Sequence, residues 1–300
     1  MAAPTLGFEP TSSEPERLGL WRDSRRRFSR NRRALVGVIF VGVVALLAVA
    51  APLLTAFGLL ADPLALNYDA INTPPSHAHL LGTDALGRDL LSRAIYGARV
   101  SLSIAVLLQV VILVVGGAVG LAAGYGGGRV DNLLMRLTDV MFAFPDLLFV
   151  LVIAAVVGPG YWNMFVAVGV VSWPYLARLV RGEVLSIKQR DFIEAARASG
   201  TRPSMVVLRH ILPNSLGPVI VALAFGVPSA IFLEAFLSFL GVGIRPPTPS
   251  WGTMINEGYH AVFAYPYQVL VPAVVISLTT LSFNFIGDGL RDSLDPRMRR

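Results

Sequence analysis

Few side chains in this sequence stand where they could do covalent chemistry. The four histidines, His77, His79, His210 and His260, lie in loops or at the edges of apolar runs. His77-Ala78-His79 offers two imidazoles to one ion, but no third ligand is near, and an ordinary polar loop is the better account. There is no cysteine, which excludes thiolate nucleophiles, disulfides, Cys-ligated zinc and iron–sulfur centres. Lys188 is the one lysine and Gln189 follows it, so no Gly-Lys-Ser/Thr phosphate loop exists. Neither a His-Glu-x-x-His helix nor a Gly-x-Ser-x-Gly elbow occurs. The chain is therefore expected to be no enzyme and to hold no metal and no cofactor.

The most patterned polar segment begins at Asp191 and reads Asp-Phe-Ile-Glu-Ala-Ala-Arg-Ala-Ser-Gly. Phe192, Ala195, Ala196 and Ser199 fall on one face of a helix, and Arg190 and Glu194, four apart, are expected to pair on another. Gly200 is expected to stop the helix in a left-handed conformation. Pro203 suits the start of a second short helix, and Pro213 is expected to end it. Such a helix could rest on anionic lipid, which favours large apolar residues on the buried face. Two alanines and a serine beside one Phe fit closer entry into a protein groove.

These residues must be held by elements suited to a membrane. Of 300 residues 54% are hydrophobic and 15% charged, against about 25% charged in soluble domains. Six apolar runs are expected to span: 34–57, 100–125, 140–158, 162–177, 215–243 and 269–286. The first is charge-free and long enough to cross a ~30 Å hydrocarbon core. The second is rich in glycine from Gly116 to Gly124, which permits close helix approach. The third is interrupted by Pro145-Asp146, and Gly158-Pro159-Gly160 turns it into the fourth.

Arginines 22, 25, 26, 27, 30, 32 and 33 crowd the start of the first run, and the positive-inside rule puts that end in the cytosol. With six crossings, only Arg88, Arg93, Arg99 and Arg245 of the 25 Lys and Arg fall outside. Orientation explains the cluster. Nucleic-acid binding would want more interleaved aromatics than Trp21 and Phe28.

On the expected outer side, residues 84–98 read as an amphipathic helix. Leu90, Leu91, Ala94, Ile95 and Ala98 make one face, and Asp89 and Arg93 are expected to pair on the other. Asp84, Arg88, Asp89 and Arg93 could brace a pore entrance or touch a delivery protein. Trp251 suits the membrane interface and a docking role. Glu234, inside the fifth run, either lines a path or ties helices together by hydrogen bonds. Asp139 and Asp146 are placed near the cytosolic end of the third run, Asp139 within reach of Arg136.

Glu194-Ala195-Ala196, then Gly200, then nine residues before His210-Ile211-Leu212-Pro213, resembles the EAA loop of bacterial ABC importer permeases, with His210 where the general pattern has Ile. Gly82-Thr83-Asp84, Gly87-Arg88-Asp89, Leu237-Ser238-Phe239-Leu240-Gly241, Pro249-Ser250-Trp251-Gly252 and the ending from Gly287 to Asp295-Pro296-Arg297 resemble permeases of the dipeptide, oligopeptide and nickel type, in particular the C-type subunit. The likeness runs from about Trp21 to Arg300.

The resemblance implies an all-α polytopic membrane protein of six transmembrane helices, a five-helix core like that of type I importers plus one N-terminal helix. It implies a non-catalytic subunit of the bacterial inner membrane with both termini cytoplasmic. Its partners would be a second homologous permease, two ATP-binding subunits that hold ATP and Mg, and an extracytoplasmic binding protein delivering di- or oligopeptides. Asp191, Phe192, Glu194, Ala195, Ala196, Gly200, Leu212 and Pro213 would couple to the ATPase. The expected division is a disordered tail 1–20, a basic segment with the first span 21–57, an extracytoplasmic segment 58–99, a core 100–288 containing the coupling loop 178–215, and a cytosolic tail 289–300. A secondary transporter or channel without an ATPase is the alternative; it explains the spans but not the patterned helix.

Overall fold

The computed structural model of the protein describes residues 24–294. The expected tail 1–20, Trp21 and Arg22 at the front, and Asp295-Pro296-Arg297 at the end, lie outside the described residues. Along the chain the helices run α1 (Arg32–Ala56), α2 (Leu90–Gly126), α3 (Gly128–Phe142), α4 (Asp146–Val157), α5 (Tyr161–Lys188), α6 (Asp191–Ala198), α7 (Pro203–Phe239), α8 (Trp251–Tyr259) and α9 (Tyr267–Leu294). Five of them, α1, α2, α5, α7 and α9, are long and apolar enough to cross a membrane, and α3 with α4 makes a sixth candidate as a bent pair.

α1 begins at Asn31, whose Oδ1 accepts the Ala34 N–H at 3.2 Å and so satisfies one of the free amides of the first turn. Large apolar side chains such as Val36, Ile39, Leu46 and Val49 stand exposed on one face, as a lipid-facing helix requires. The other face is small. A Cβ at Gly37 would lie 2.5 Å from the Ser282 carbonyl of α9, so glycine sets how closely those two helices approach.

α2 and α5 pack through the glycine row seen in the sequence. Gly116 faces the Trp173 backbone, Gly120 that of Ala177, and Gly124 the Val184 side chain. These glycines recur every four residues, one face of a helix, so the two backbones run in contact over two turns. Around this pair a buried cluster gathers residues of α2, α4, α5, α7 and α8, among them Ala105, Met164, Ile231 and Trp251. A second cluster, including Val184, Ile187, Ile193, Val206 and Ile211, sits where α5, α6 and α7 meet.

Three expectations change. The amphipathic helix placed at 84–98 begins at Leu90 and continues without a break to Gly126; Asp89 is its N-cap, its Oδ1 accepting the Ser92 N–H at 2.8 Å, and 84–88 are turn. The third run is no straight span. α3 and α4 meet at 84°, the chain turning at 143–145 where Pro145, which has no N–H to continue the α3 hydrogen bonds, takes the N-cap position of α4. Alone, α4 has 12 residues and spans about 18 Å, well short of the hydrocarbon core. Pro213 does not end a helix: Pro203 starts one that passes a π-turn, Val207–Ile211, and runs on to Phe239.

Candidate functional site

Three constellations stand out, at one end of the bundle, at the other, and along a cavity between them.

At the first end, α6 turns its faces as a docking element would. Ile193 is fully buried among Ile187, Val206 and Ile211, which fixes the helix to the bundle. Phe192 is 37% exposed, and Glu194, Ala195, Ser199 and Gly200 are exposed while Ala196 is half-buried. Gly200 has φ +74°; its N–H donates to the Arg197 carbonyl at 2.9 Å and the Thr201 N–H to that of Ala196 at 3.1 Å. That pair of bonds is a Schellman closure, the left-handed stop expected of this glycine. Leu212 and Pro213 are exposed nearby, at the start of the long part of α7. The Phe192 and His210 rings lie 6.3 Å apart. Among the described residues no ion pair joins Arg190 to Glu194.

Lys188, which sequence reasoning used only to exclude a phosphate loop, holds this end together. Its Nζ donates to the carbonyls of Gly124 and Tyr125, both at 3.0 Å, and lies over the Tyr125 ring. The Tyr125 hydroxyl donates to the Pro203 carbonyl at 3.3 Å. The ends of α2 and α5 and the start of α7 are thereby joined. Lysine near a helix C-terminus was the available signal, since the last carbonyls attract a cation. Arg181 grips Asp131 of α3 with two bonds of 2.5 and 2.6 Å. Asp139 pairs with Arg178 at 2.6 Å rather than with Arg136.

At the other end, Asp84, Arg88 and Arg93 meet Glu257 of α8, a residue the sequence did not single out. Arg88 Nε donates to Asp84 at 2.6 Å and its Nη2 to Glu257 at 2.8 Å. Arg93 Nη2 donates to Glu257 at 2.5 Å, and its Nη1 stands 3.5 Å from Asp84. The Arg93 side chain is 1% exposed. Asp89 binds His79 Nδ1 at 3.0 Å and does not pair with Arg93. Trp251 is buried instead of lying at an interface: Gly97 leaves room for its ring, and its Nε1–H donates to the Ala94 carbonyl at 3.0 Å. Asp84, Arg88, Arg93 and Trp251 thus face inward and bind the loop that precedes α2, α2 itself and α8 to one another.

Glu234 is buried between α2 and α7. Ser101 Oγ donates to one of its oxygens at 2.7 Å and Ser238 Oγ to the other at 2.9 Å. Ser101 Oγ in turn accepts the Trp251 backbone N–H at 3.3 Å. Both oxygens being taken, the residue ties helices together, and it does not line the cavity.

That cavity has a volume of about 1060 Å³ and runs between α2, α5 and α7, reaching Arg190 and Arg291 at the α6 end. A second cavity of about 660 Å³ adjoins it, lined by α4, α5, α7 and α9. Together they form a mostly apolar hollow, open on one side, with polar groups at intervals. Among the described residues no three His, Cys, Asp or Glu side chains converge as metal ligands.

Comparison with known proteins agrees with this layout. A family model described as binding-protein-dependent transport system inner membrane component matches residues 116–300. One described as N-terminal TM domain of oligopeptide transport permease C matches residues 19–75. The chain is 40% identical over 283 residues to the oligopeptide transport system permease protein OppC of Bacillus subtilis, covering 94% of this chain and 92% of that one. It is 39% identical over 307 residues to the dipeptide transport system permease protein DppC of Alkalihalophilus pseudofirmus, covering 99% and 98%. Among solved structures, the MetNI methionine ABC transporter in inward-facing conformations aligns with TM-score 0.55 at 18% identity, over 69% of this chain and 98% of the other. That last likeness is one of fold.

Proposed function

Since the chain belongs to the family of binding-protein-dependent transport system inner membrane components, we propose that it carries di- or oligopeptides across the inner membrane as the C-type permease of an ATP-driven importer. The single observation behind the coupling mechanism is the two-sidedness of α6: Ile193 is anchored in the bundle while Phe192, Glu194 and Ala195 are exposed. In this reading Asp191, Phe192, Glu194, Ala195, Ala196, Gly200, Leu212 and Pro213 enter a groove on one of two ATP-binding subunits. Those subunits hold ATP and Mg. A second homologous permease closes the open side of the cavities, both termini are cytoplasmic, and an extracytoplasmic binding protein delivers the peptide.

Closure of the ATPases moves α6 as a rigid lever. Motion reaches α5 and α7 through the Ile187–Ile193–Val206–Ile211 cluster and α2 through Lys188. At the far end the Asp84–Arg88–Arg93–Glu257 network holds the entrance in shape. Receptor docking then falls to exposed residues around that network, and Glu234 serves as a tie. Family membership favours a binding-protein-dependent importer over an ion-driven carrier.

The test is assembly and transport. The chain co-expressed with its second permease and ATPases is purified, placed in liposomes and given loaded receptor. Receptor-stimulated ATP hydrolysis with peptide accumulation is expected. Ion-gradient-driven uptake by this chain alone overturns the reading.

A further inference from the structure

We propose that Asp146 is the point in the translocation path that recognises a positively charged amino group of the passing substrate. This deepens the peptide-importer reading and rests on it.

Asp146 lines both cavities, and so do Ser172, Phe225, Ser229 and Leu233; the two hollows meet at this ring. The other charged side chains lining them, Glu183, Arg190 and Arg291, belong to the larger cavity alone. Asp146 is exposed in this single chain, and the bend at 143–145 turns it toward the two open cavities instead of leaving it in a straight span. It faces the middle of two long helices, with Ser172 near the centre of α5 (Tyr161–Lys188) and Thr280 near the centre of α9 (Tyr267–Leu294).

Three neighbouring acids are spoken for, and a fourth, Glu183, lines only the larger cavity. Asp131 is held by Arg181, Asp139 by Arg178, and Glu234 by two serines. Among the described residues nothing engages the Asp146 carboxylate. Thr280 Oγ1, on the wall of the same smaller cavity, is a second oxygen without a hydrogen-bond partner. Asn284 and Ser229 add further acceptors on that wall. A free ionisable group at membrane depth, open to a cavity, marks a substrate path by default.

The chemistry selects the ligand class. One carboxylate with neutral hydroxyl and amide oxygens matches an ammonium, whose three donors need acceptors and one negative charge. Divalent cations gather six or more oxygens and usually more than one carboxylate. The space suits a short peptide, since pockets of about 300–1,000 Å³ hold ligands of that size.

The experiment uses the whole complex in proteoliposomes with receptor loaded from a casein tryptic digest. Initial uptake and receptor-stimulated ATP hydrolysis are both measured for wild type, Asp146→Asn and Asp146→Glu. Uptake by Asp146→Asn falls about tenfold, the scale of one lost charge-assisted hydrogen bond, while stimulated hydrolysis stays near wild type and Asp146→Glu recovers most of the uptake. Equal uptake by Asp146→Asn and wild type overturns the assignment of Asp146 alone. Parallel loss of hydrolysis and uptake in both variants overturns it too, in favour of a structural role. A wild-type complex that accumulates none of the digest overturns the peptide reading itself.

Discussion

The Lys188 ammonium and the Gly124 carbonyl lie 3.0 Å apart although 64 positions separate them in the chain. Gly124 is also the last of the three glycines packed on α5, since a Cβ there would meet the Val184 side chain at 2.8 Å. One residue thus closes the packing of α2 on α5, and one cation caps it, three residues before α6 begins at Asp191.

Lys188→Met removes the cation from the last carbonyls of α2, with a stability loss of about 1 kcal/mol. Its larger effect is on transmission: receptor-stimulated ATP hydrolysis is retained while peptide uptake per ATP falls. Lys188→Arg keeps a donor at those carbonyls and restores part of the ratio. Uptake per ATP measured in proteoliposomes checks this; an unchanged ratio in Lys188→Met removes Lys188 from the transmission route.

Glu257→Gln leaves the Arg93 guanidinium buried without its nearest anion. Arg93 Nε and Nη1 already lack hydrogen-bond partners, so little nearby can compensate. Breaking a buried ion pair from one side costs about 3–5 kcal/mol, and the melting temperature in detergent falls clearly. The double variant Arg93→Met with Glu257→Leu keeps the Asp84–Arg88 pair and recovers most of that loss. Equal melting of Glu257→Gln and wild type contradicts the bracing role.

The proposed topology rests on the distribution of arginine. Alkaline phosphatase fused after Arg300 is inactive and fused near Asn72 is active, as both termini in the cytosol require. Activity of the C-terminal fusion contradicts the six-crossing arrangement.

What could be read in the sequence was what local pattern encodes. Apolar runs gave the long helices, the glycines at 116, 120 and 124 gave their close packing, and Gly200 gave the stop of α6. Long-range partnerships were not legible. Arg93 and Glu257 stand 164 positions apart, and nothing in either neighbourhood marks the other. Trp251 looked like an interface aromatic because spacing cannot reveal the space that Gly97 leaves for it. Pro145 was seen as an interruption, but the angle it produces, which turns Asp146 to the cavity, depends on α5 and α7.

The coupling face separates most sharply from the fold. Ala195 is exposed, so Ala195→Trp leaves the melting temperature unchanged, yet overpacking a partner's groove costs about 1–3 kcal/mol, and ATPase assembly or stimulated hydrolysis falls about tenfold. Ile193→Ala has the opposite signature, since it empties a fully buried site and costs about 2–5 kcal/mol of stability. Gly200 adds a conformational test. A Cβ there would meet nothing within 4 Å, so Gly200→Val acts only through its φ of +74°, which costs an L-residue about 1–2 kcal/mol and more when it is β-branched. Gly200→Asn tolerates that conformation and keeps coupling. Each variant is assayed for insertion, melting, ATPase binding and uptake. If Ala195→Trp and Gly200→Val both bind ATPase and transport at the wild-type rate, the face of α6 is not the coupling surface, and a resting place on anionic lipid becomes the better account of its exposed side.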